Sequence, residues 1–378
     1  MIYWNKNSTA RKERDPLPGI REAAAPLSAA ALKENFTLLA RADERPDPSP
    51  TRGRETVCKE LFTSRIKFAE KERRMEISGL IVVNKPESIT SHAAVARVRR
   101  LFGVEKAGHT GTLDPLASGV LPVLVGRAVK AAEFLTESDK HYRATLTLGV
   151  STDTEDRTGA VLERSDAIPD EAAVFEVVSR FRGTIGQIPP MYSALKVGGR
   201  KLVDLARRGE TVERQPRTVT IYRLDARKID ERNYALDAVV SKGTYIRTLC
   251  ADIGRALGCG GMMSSLSRVE ACGYTLADAA TPDELAEMTD AERVSRVIPT
   301  EDLFPSAPKL SPAPFFVRLF RNGLRIEAKK FGLGGVLPGT RFRLYDGGVF
   351  FALAEAKEPD EKRNETGTVI APLRQFDL

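Results

Sequence analysis

From Gly79 onward the chain alternates short apolar runs with helical repeats at irregular intervals, and no dinucleotide-type glycine turn accompanies them. That pattern predicts an α+β fold: a mixed, largely antiparallel sheet with flanking helices. Leu80-Ile-Val-Val83 reads as a short buried strand, stopped by Lys85-Pro86. Ser91 is placed to cap a helix through Phe102, with Val95, Val98, Leu101 and Phe102 at helical spacing and Gly103 to end it. The apolar run Val120 to Val125 follows an unusual loop. Tyr142, Ala144, Leu146 and Leu148 alternate with Arg143, Thr145 and Thr147, so a half-buried strand is expected with Tyr142 on its apolar face. Asp170 opens another helix carrying Val174, Val177, Val178 and Phe181, with Gly183 beyond it. Further strands are expected near 219–224 and 234–240. Lys242-Gly243 then turns the chain into a helix bearing Ile246, Leu249, Ile253 and Leu257, closed by Gly258.

Residues 1–74 differ in kind. They mix Pro, Arg, Glu and Ala without sustained periodicity, as in Arg45-Pro-Asp-Pro-Ser-Pro-Thr-Arg-Gly-Arg54. The composition suits a disordered extension, and Met75 is the expected functional start. The rival reading, an organellar targeting segment, sits poorly with the acidic residues there. A Pro-rich break from Phe304 to Pro314 reads as a linker. The stretch beyond it, with Phe342-Arg-Leu-Tyr345 and Val349-Phe-Phe-Ala-Leu353, reads as a small β-rich module. The expected division is thus an extension at 1–74, a main domain at 75–302 and a small domain at 303–378.

No run approaches the roughly 18 apolar residues of a membrane span, and the first residues lack the apolar centre of a secretory signal, so a cytoplasmic location is expected. The net charge of +7 is compatible with a polyanionic partner and equally with a plain basic protein. Cys58, Cys250, Cys259 and Cys272 form no Cys-x-x-Cys pair, and His92, His109 and His141 complete no zinc spacing. No metal and no cofactor are expected.

The loop Ala107-Gly-His-Thr-Gly-Thr-Leu-Asp-Pro-Leu-Ala-Ser-Gly119 carries the most chemistry. Its glycines admit close backbone approach to a ligand. Pro115 restricts Asp114 to extended backbone and so fixes the direction of its carboxylate. The plain alternative is a helix start, with Asp as cap and Pro at the first helical position. The loop lacks the Gly-Lys-Ser/Thr of a phosphate-binding P-loop. Arg247 falls in the first turn of a helix, where a cation meets the positive end of the dipole. It needs an anion there, and a guanidinium aimed at a carboxylate keeps that acid ionised, as a nucleophile requires. Otherwise it is a surface arginine. Tyr142 and Tyr245 offer flat faces for an unstacked base, or simply core packing.

Taken together, Gly108-His-Thr-Gly-Thr-Leu-Asp-Pro-Leu-Ala-Ser-Gly-Val-Leu-Pro122 resembles the catalytic motif of the TruB family of tRNA pseudouridine synthases. The resemblance continues through Asp139-Lys-His-Tyr-Arg143, Leu148–Asp156, Ile188-Pro-Pro-Met-Tyr-Ser-Ala-Leu-Lys196, Arg217–Tyr222, Ser241-Lys-Gly-Thr-Tyr-Ile-Arg247 and Gly258-Cys-Gly-Gly261. It covers about 79–275, and the C-terminal stretch resembles, more weakly, a PUA-like RNA-binding domain. The resemblance implies Asp114 as nucleophile, Tyr142 as stacking residue and candidate proton acceptor, and Arg247 as the partner of the nucleophile. It implies that His109 fills the space left by the everted nucleotide and that Tyr245 and Leu266 line the pocket. Lys130 matches a family lysine without an assigned role. Val203, Met262 and Ser267 depart from the residues usual at their positions, which bears on RNA contact near Leu266.

The implied reaction isomerises uridine 55 in the T arm of transfer RNA, in a monomer and without metal or cofactor. Two other readings remain open: a non-catalytic RNA-binding or RNA-folding protein, and a guide-RNA-dependent relative acting on ribosomal RNA.

Overall fold

The computed structural model describes residues 77–193, 195–363 and 365–377. The expected extension at 1–74 and the start at Met75 lie outside them. All statements below concern the described residues, in which no helix is long and apolar enough to cross a membrane.

Chain order runs β1 (Gly79–Lys85), α1 (Ser91–Leu101), β2 (Ala107–His109), β3 (Ala117–Val125), β4 (Lys140–Leu148), α2 (Glu171–Arg180), β5 (Gly183–Gln187), β6 (Arg217–Lys228), β7 (Asn233–Val240), α3 (Ile246–Ala256), β8 (Gly261–Ala271) and β9 (Ile298–Pro299), with shorter elements between. A ten-stranded sheet has the main order β9-β1-β3-β8-β4-β7-β6-β5; β2 lies beside β3, and Tyr274–Thr275 beside β8. Only the β3–β8 pairing is parallel. This is the mixed, largely antiparallel sheet that the alternation predicts.

The strands β1 and β3 are continuous apolar runs because both of their faces are covered. Ile81, Val83, Leu121, Val123 and Val125 join the main core, whereas Leu80, Val82, Val120 and Leu124 face a second cluster. Burying each such side chain contributes about 1.5–3 kcal/mol. The strand β4 instead alternates: Ala144, Leu146 and Leu148 enter the core, and Arg143 on the opposite face is exposed. Helix α3 lies unusually close to β8. A Cβ added at Gly254 would stand 2.2 Å from the Gly261 nitrogen, so only glycine permits this approach.

Two local expectations are corrected. Thr90, not Ser91, caps α1: its side chain accepts from the Ala93 nitrogen. Ser91 turns inward for a different task, described below. The Pro-rich break is a packed segment. Phe304 and Ala307 are buried, and the Phe304 ring meets Phe134, Phe376 and Phe350 at centroid distances of 5.8, 5.9 and 6.4 Å. Such aromatic pairs contribute about 0.5–1.5 kcal/mol each beyond area burial. Beyond it, α4 (Pro314–Arg321) accompanies a second sheet of β10 (Arg341–Asp346), β11 (Val349–Lys357) and β12 (Val369–Gln375), with short flanking strands at Lys309–Leu310 and Ile326–Glu327. This is the expected β-rich, PUA-like module, with its own core around Phe320, Leu344, Phe351 and Ile370.

Candidate active site

The loop between β2 and β3 is held on both sides of Asp114. Ser91 Oγ accepts from the Leu113 nitrogen at 2.8 Å and donates to the Leu113 carbonyl at 2.9 Å. The Pro115 carbonyl accepts from the Ser88 nitrogen at 2.8 Å. The Ala117 nitrogen donates to the Asp114 carbonyl at 3.0 Å, closing a four-residue turn with Pro115 second. Asp114 therefore heads a turn, and the helix-start alternative does not apply.

Strand register brings the other residues to the same place. Leu266 pairs with Ala117 on β3 and with Ala144 on β4, while Arg268 pairs with Tyr142. Tyr245 is the N-cap of α3, and Arg247 stands in its first turn as expected. The Asp114 carboxylate, Tyr142, Tyr245, Arg247 and Leu266 line one cleft of about 430 Å³, with Tyr192, Val203 and Arg268. That volume falls in the range of about 300–1,000 Å³ usual for small-ligand sites, so a group of that size is admitted and a duplex is not.

Arg247 is nearly buried and its donors are well used. Nε stands 2.9 Å from Asp114 Oδ2, Nη1 donates to the Thr154 carbonyl at 3.0 Å, and Nη2 donates to the Tyr192 carbonyl at 2.8 Å. A second carboxylate, Asp156 Oδ2, lies 3.7 Å from Nη1. These acceptors offset both the desolvation of the cation and the helix dipole. Asp156 is itself fixed by Thr154 Oγ1, by the Thr158 nitrogen and by Thr158 Oγ1.

The electrostatics differ from the sequence expectation in one respect. Burial raises the Asp114 carboxyl above its ordinary 3.8, and Arg247 opposes the rise without cancelling it, because Asp156 adds a like charge. A close pair near a protein surface gains about 4 kcal/mol, and desolvation costs several kcal/mol per ion, so a near-balance is the normal outcome. Burial also raises the Tyr245 phenol. Lys85 is fully buried below the loop, and burial brings its ammonium down to about 8, against the pull of Asp114. Its Nζ donates to the Pro86 and Ile89 carbonyls at 2.8 and 2.9 Å.

Two expected residues lie outside the cleft lining. His109 ends β2 beside Thr110, which does line it. Burial, then Arg268 and His92, lower His109 below its ordinary 6.5, so the ring is neutral near pH 7, and its buried Nδ1 has no hydrogen-bond partner. Lys130 sits in the helical turn Gly126–Ala131, where its Nζ donates to the Gln375 carbonyl of β12 at 2.9 Å.

Sequence reasoning passed over Arg268, Asp156 and Lys85. Arg268 is 1% exposed, and its Nε and Nη2 donate to the Val120 and Gly111 carbonyls, tying β3 to the loop that carries Asp114. A Cβ added at Gly119, which has φ +107°, would stand 2.2 Å from the Arg268 carbonyl oxygen. A charge at the end of an apolar strand was the available signal for Lys85; the Ser-rich strand of Arg268 carries no such signal.

The chain is similar to known proteins over most of its length. Residues 99–246 match the profile of the TruB family pseudouridylate synthase (N terminal domain), and 247–304 match that of the tRNA pseudouridylate synthase B C-terminal domain. A protein from Francisella tularensis subsp. novicida named tRNA pseudouridine synthase B is 39% identical over 75% of this chain and 93% of its own. One of the same name from Burkholderia pseudomallei is 43% identical over 72% and 91%. A crystal structure of a Cbf5-Nop10-Gar1 complex aligns with TM-score 0.59 and 26% identity, over 81% of this chain and 86% of that one. Given these matches, the chain belongs to the TruB family of pseudouridylate synthases.

Proposed function

We propose that this chain is a tRNA pseudouridine synthase that isomerises uridine 55 in the T arm, with Asp114 as nucleophile. One observation carries the reading: a carboxylate on a proline-fixed turn, 2.9 Å from a buried guanidinium, opens onto a nucleoside-sized cleft whose walls include Tyr142, Tyr192, Tyr245 and Leu266. The names of the two bacterial relatives support the substrate class.

Uridine and pseudouridine are isomers. The bond from C1′ to N1 breaks, the uracil turns, C1′ joins C5, and the C5 proton moves to solvent as N1 gains one. No electrons are gained or lost. The target nucleotide must leave its stack to reach the floor of the cleft. Asp114 attacks in its ionised form. Tyr142 and Leu266 supply the flat and apolar walls that retain the detached base, and Tyr142 stands as the acceptor for the C5 proton. Arg247 orients the carboxylate and favours its charged state. His109, neutral near pH 7, is assigned to fill the gap in the RNA stack. Lys130 is not assigned to the reacting base, because its ammonium is engaged with Gln375. A monomer working in the cytoplasm completes the reading.

The test is an isolated T-arm hairpin, presented without guide RNA or protein partners. Pseudouridine at the single position equivalent to 55 is the expected product. No product on the hairpin, with product on ribosomal RNA when a guide is added, would transfer the chain to the guide-dependent reading. Tight RNA binding without product in either case would leave a binding protein.

A further inference from the structure

The arrangement that aims Arg247 at Asp114 depends on the turn between β7 and α3, whose own bonds tie Ser241 to Thr220, Thr244 to the Ser241 carbonyl and Lys242 to Glu137 but do not reach Tyr245. Between β7 and α3 the chain passes through Lys242 and Gly243, both exposed, with Gly243 at φ +80°. Tyr245, the N-cap of α3, has no side-chain capping bond of its own. Yet the Nε of Arg247, two residues on, must meet a carboxylate carried by a different loop. Displacements of about 1 Å at such a site cost on the order of a hundredfold in rate.

The restraint on the Tyr245 backbone comes from Gln187, at the end of edge strand β5. Its side chain is buried, with the residue 2% exposed. Its Oε1 accepts from the Tyr245 nitrogen at 2.8 Å, and its Nε2 donates to the Tyr245 carbonyl at 3.1 Å. The carboxamide thus acts as one more strand residue, pairing with both backbone groups of Tyr245. The backbone of Gln187 is itself in register with Arg217 on β6. Five residues on, the Tyr192 carbonyl accepts from Arg247 Nη2. One segment therefore holds the start of α3 at two points, the N-cap backbone and the guanidinium.

We infer that Gln187 is a positioning residue for the reaction: its carboxamide clamps the Tyr245 backbone and so sets the aim of Arg247 at Asp114. It touches neither base nor ribose in this reading. The inference rests on the assignment of Asp114 and Arg247 above.

The carboxamide geometry supplies its own probe. In Gln187→Glu, an ionised carboxylate can still accept from the Tyr245 nitrogen but faces the Tyr245 carbonyl without a proton to donate. A protonated one restores both bonds. In Gln187→Met, both are absent at every pH and the volume is nearly kept. The measurement is single-turnover pseudouridine formation on a T-arm hairpin at saturating enzyme, with RNA affinity and thermal midpoint measured in parallel. Two ordinary hydrogen bonds correspond to a loss of about tenfold to a hundredfold. Gln187→Met is expected to lose that much rate with RNA affinity within about twofold of wild type. The rate of Gln187→Glu, taken as a ratio to wild type at each pH, is expected to rise as pH falls. A Gln187→Met rate within twofold of wild type, a loss confined to RNA affinity, or a Gln187→Glu ratio flat with pH would each overturn the clamp. Should Gln187→Met fail to fold, the pH course of Gln187→Glu decides alone. Asp114→Asn in the same assay separates the two claims: if it keeps activity, the site assignment falls; if it is silent while Gln187→Met is normal, only the clamp falls.

Discussion

Two aspartates on opposite sides of the central sheet are almost equally exposed and titrate in opposite directions. Asp114 in the cleft has a side chain 35% exposed, and Asp237 on the outer face of β7 one that is 32% exposed. Burial pushes both upward, and for Asp114 it prevails. For Asp237 the hydrogen bonds from His141 and Arg223 outweigh it, and the carboxyl lies below its ordinary value. Two things differ: Asp114 is set deeper among protein groups despite its similar exposed surface, so desolvation weighs more on it, and the supply of cations is smaller. Asp237 is surrounded by His141, Arg143 and Arg223. Asp114 shares one arginine with a second carboxylate, Asp156, and has only the weaker pull of Lys85 besides. An outer-face network can saturate its acid because water screens the crowding of like charges. The under-compensated acid in the cleft is what the proposed role of Asp114 calls for.

Breaking the cleft network has the largest expected effect. Arg247→Met leaves two carboxylates facing each other, and removing one member of a buried pair costs about 3–5 kcal/mol of stability. With its opposing cation gone, Asp114 rises further. The acid limb of the single-turnover rate, where activity is lost as pH falls through the Asp114 titration, then moves to higher pH. A limb that stays in place would show that Arg247 does not govern the acid. Asp156→Asn acts in the opposite sense. It removes a like charge, so the limb moves to lower pH, while lost charge-assisted hydrogen bonds cost about 1–3 kcal/mol in a denaturant titration. The smallest effect belongs to the outer network. Asp237→Asn is expected to cost no more than about 1 kcal/mol near neutral pH and to leave the rate and its acid limb unchanged. Because Asp237 titrates low in the folded state, its contribution is present above the unfolded carboxyl value and lost as pH falls through the folded one. The stability difference between variant and wild type therefore closes in acid, and a difference that widened there would reverse the comparison.

Much of this was legible before any coordinates. Alternation in β4 placed Tyr142 on the core face, helical spacing placed Arg247 at the start of α3, and the Asp-Pro pair marked a fixed carboxylate. What the sequence hid was tertiary. Thr90 and Ser91 are equally good caps by composition, and only packing against Leu113 decides which one turns inward. The Pro-rich segment reads as a linker because its prolines are visible and the aromatic partners of Phe304 are not adjacent in sequence. The Thr154 and Tyr192 carbonyls that hold Arg247 are backbone groups, which no residue pattern announces. The rise of Asp114 depends on burial and on Asp156, 42 positions away in sequence by subtraction of the residue numbers.

Asp114→Asn, measured for both product and melting, tests the central claim most directly. Because burial raises the Asp114 carboxyl, its ionised form costs stability near neutral pH. The asparagine variant is therefore predicted to bind the T-arm hairpin as wild type does, to melt no lower, and to form pseudouridine more than about 10⁴-fold more slowly. Product formed within tenfold of the wild-type rate by a folded, RNA-binding variant would contradict the account.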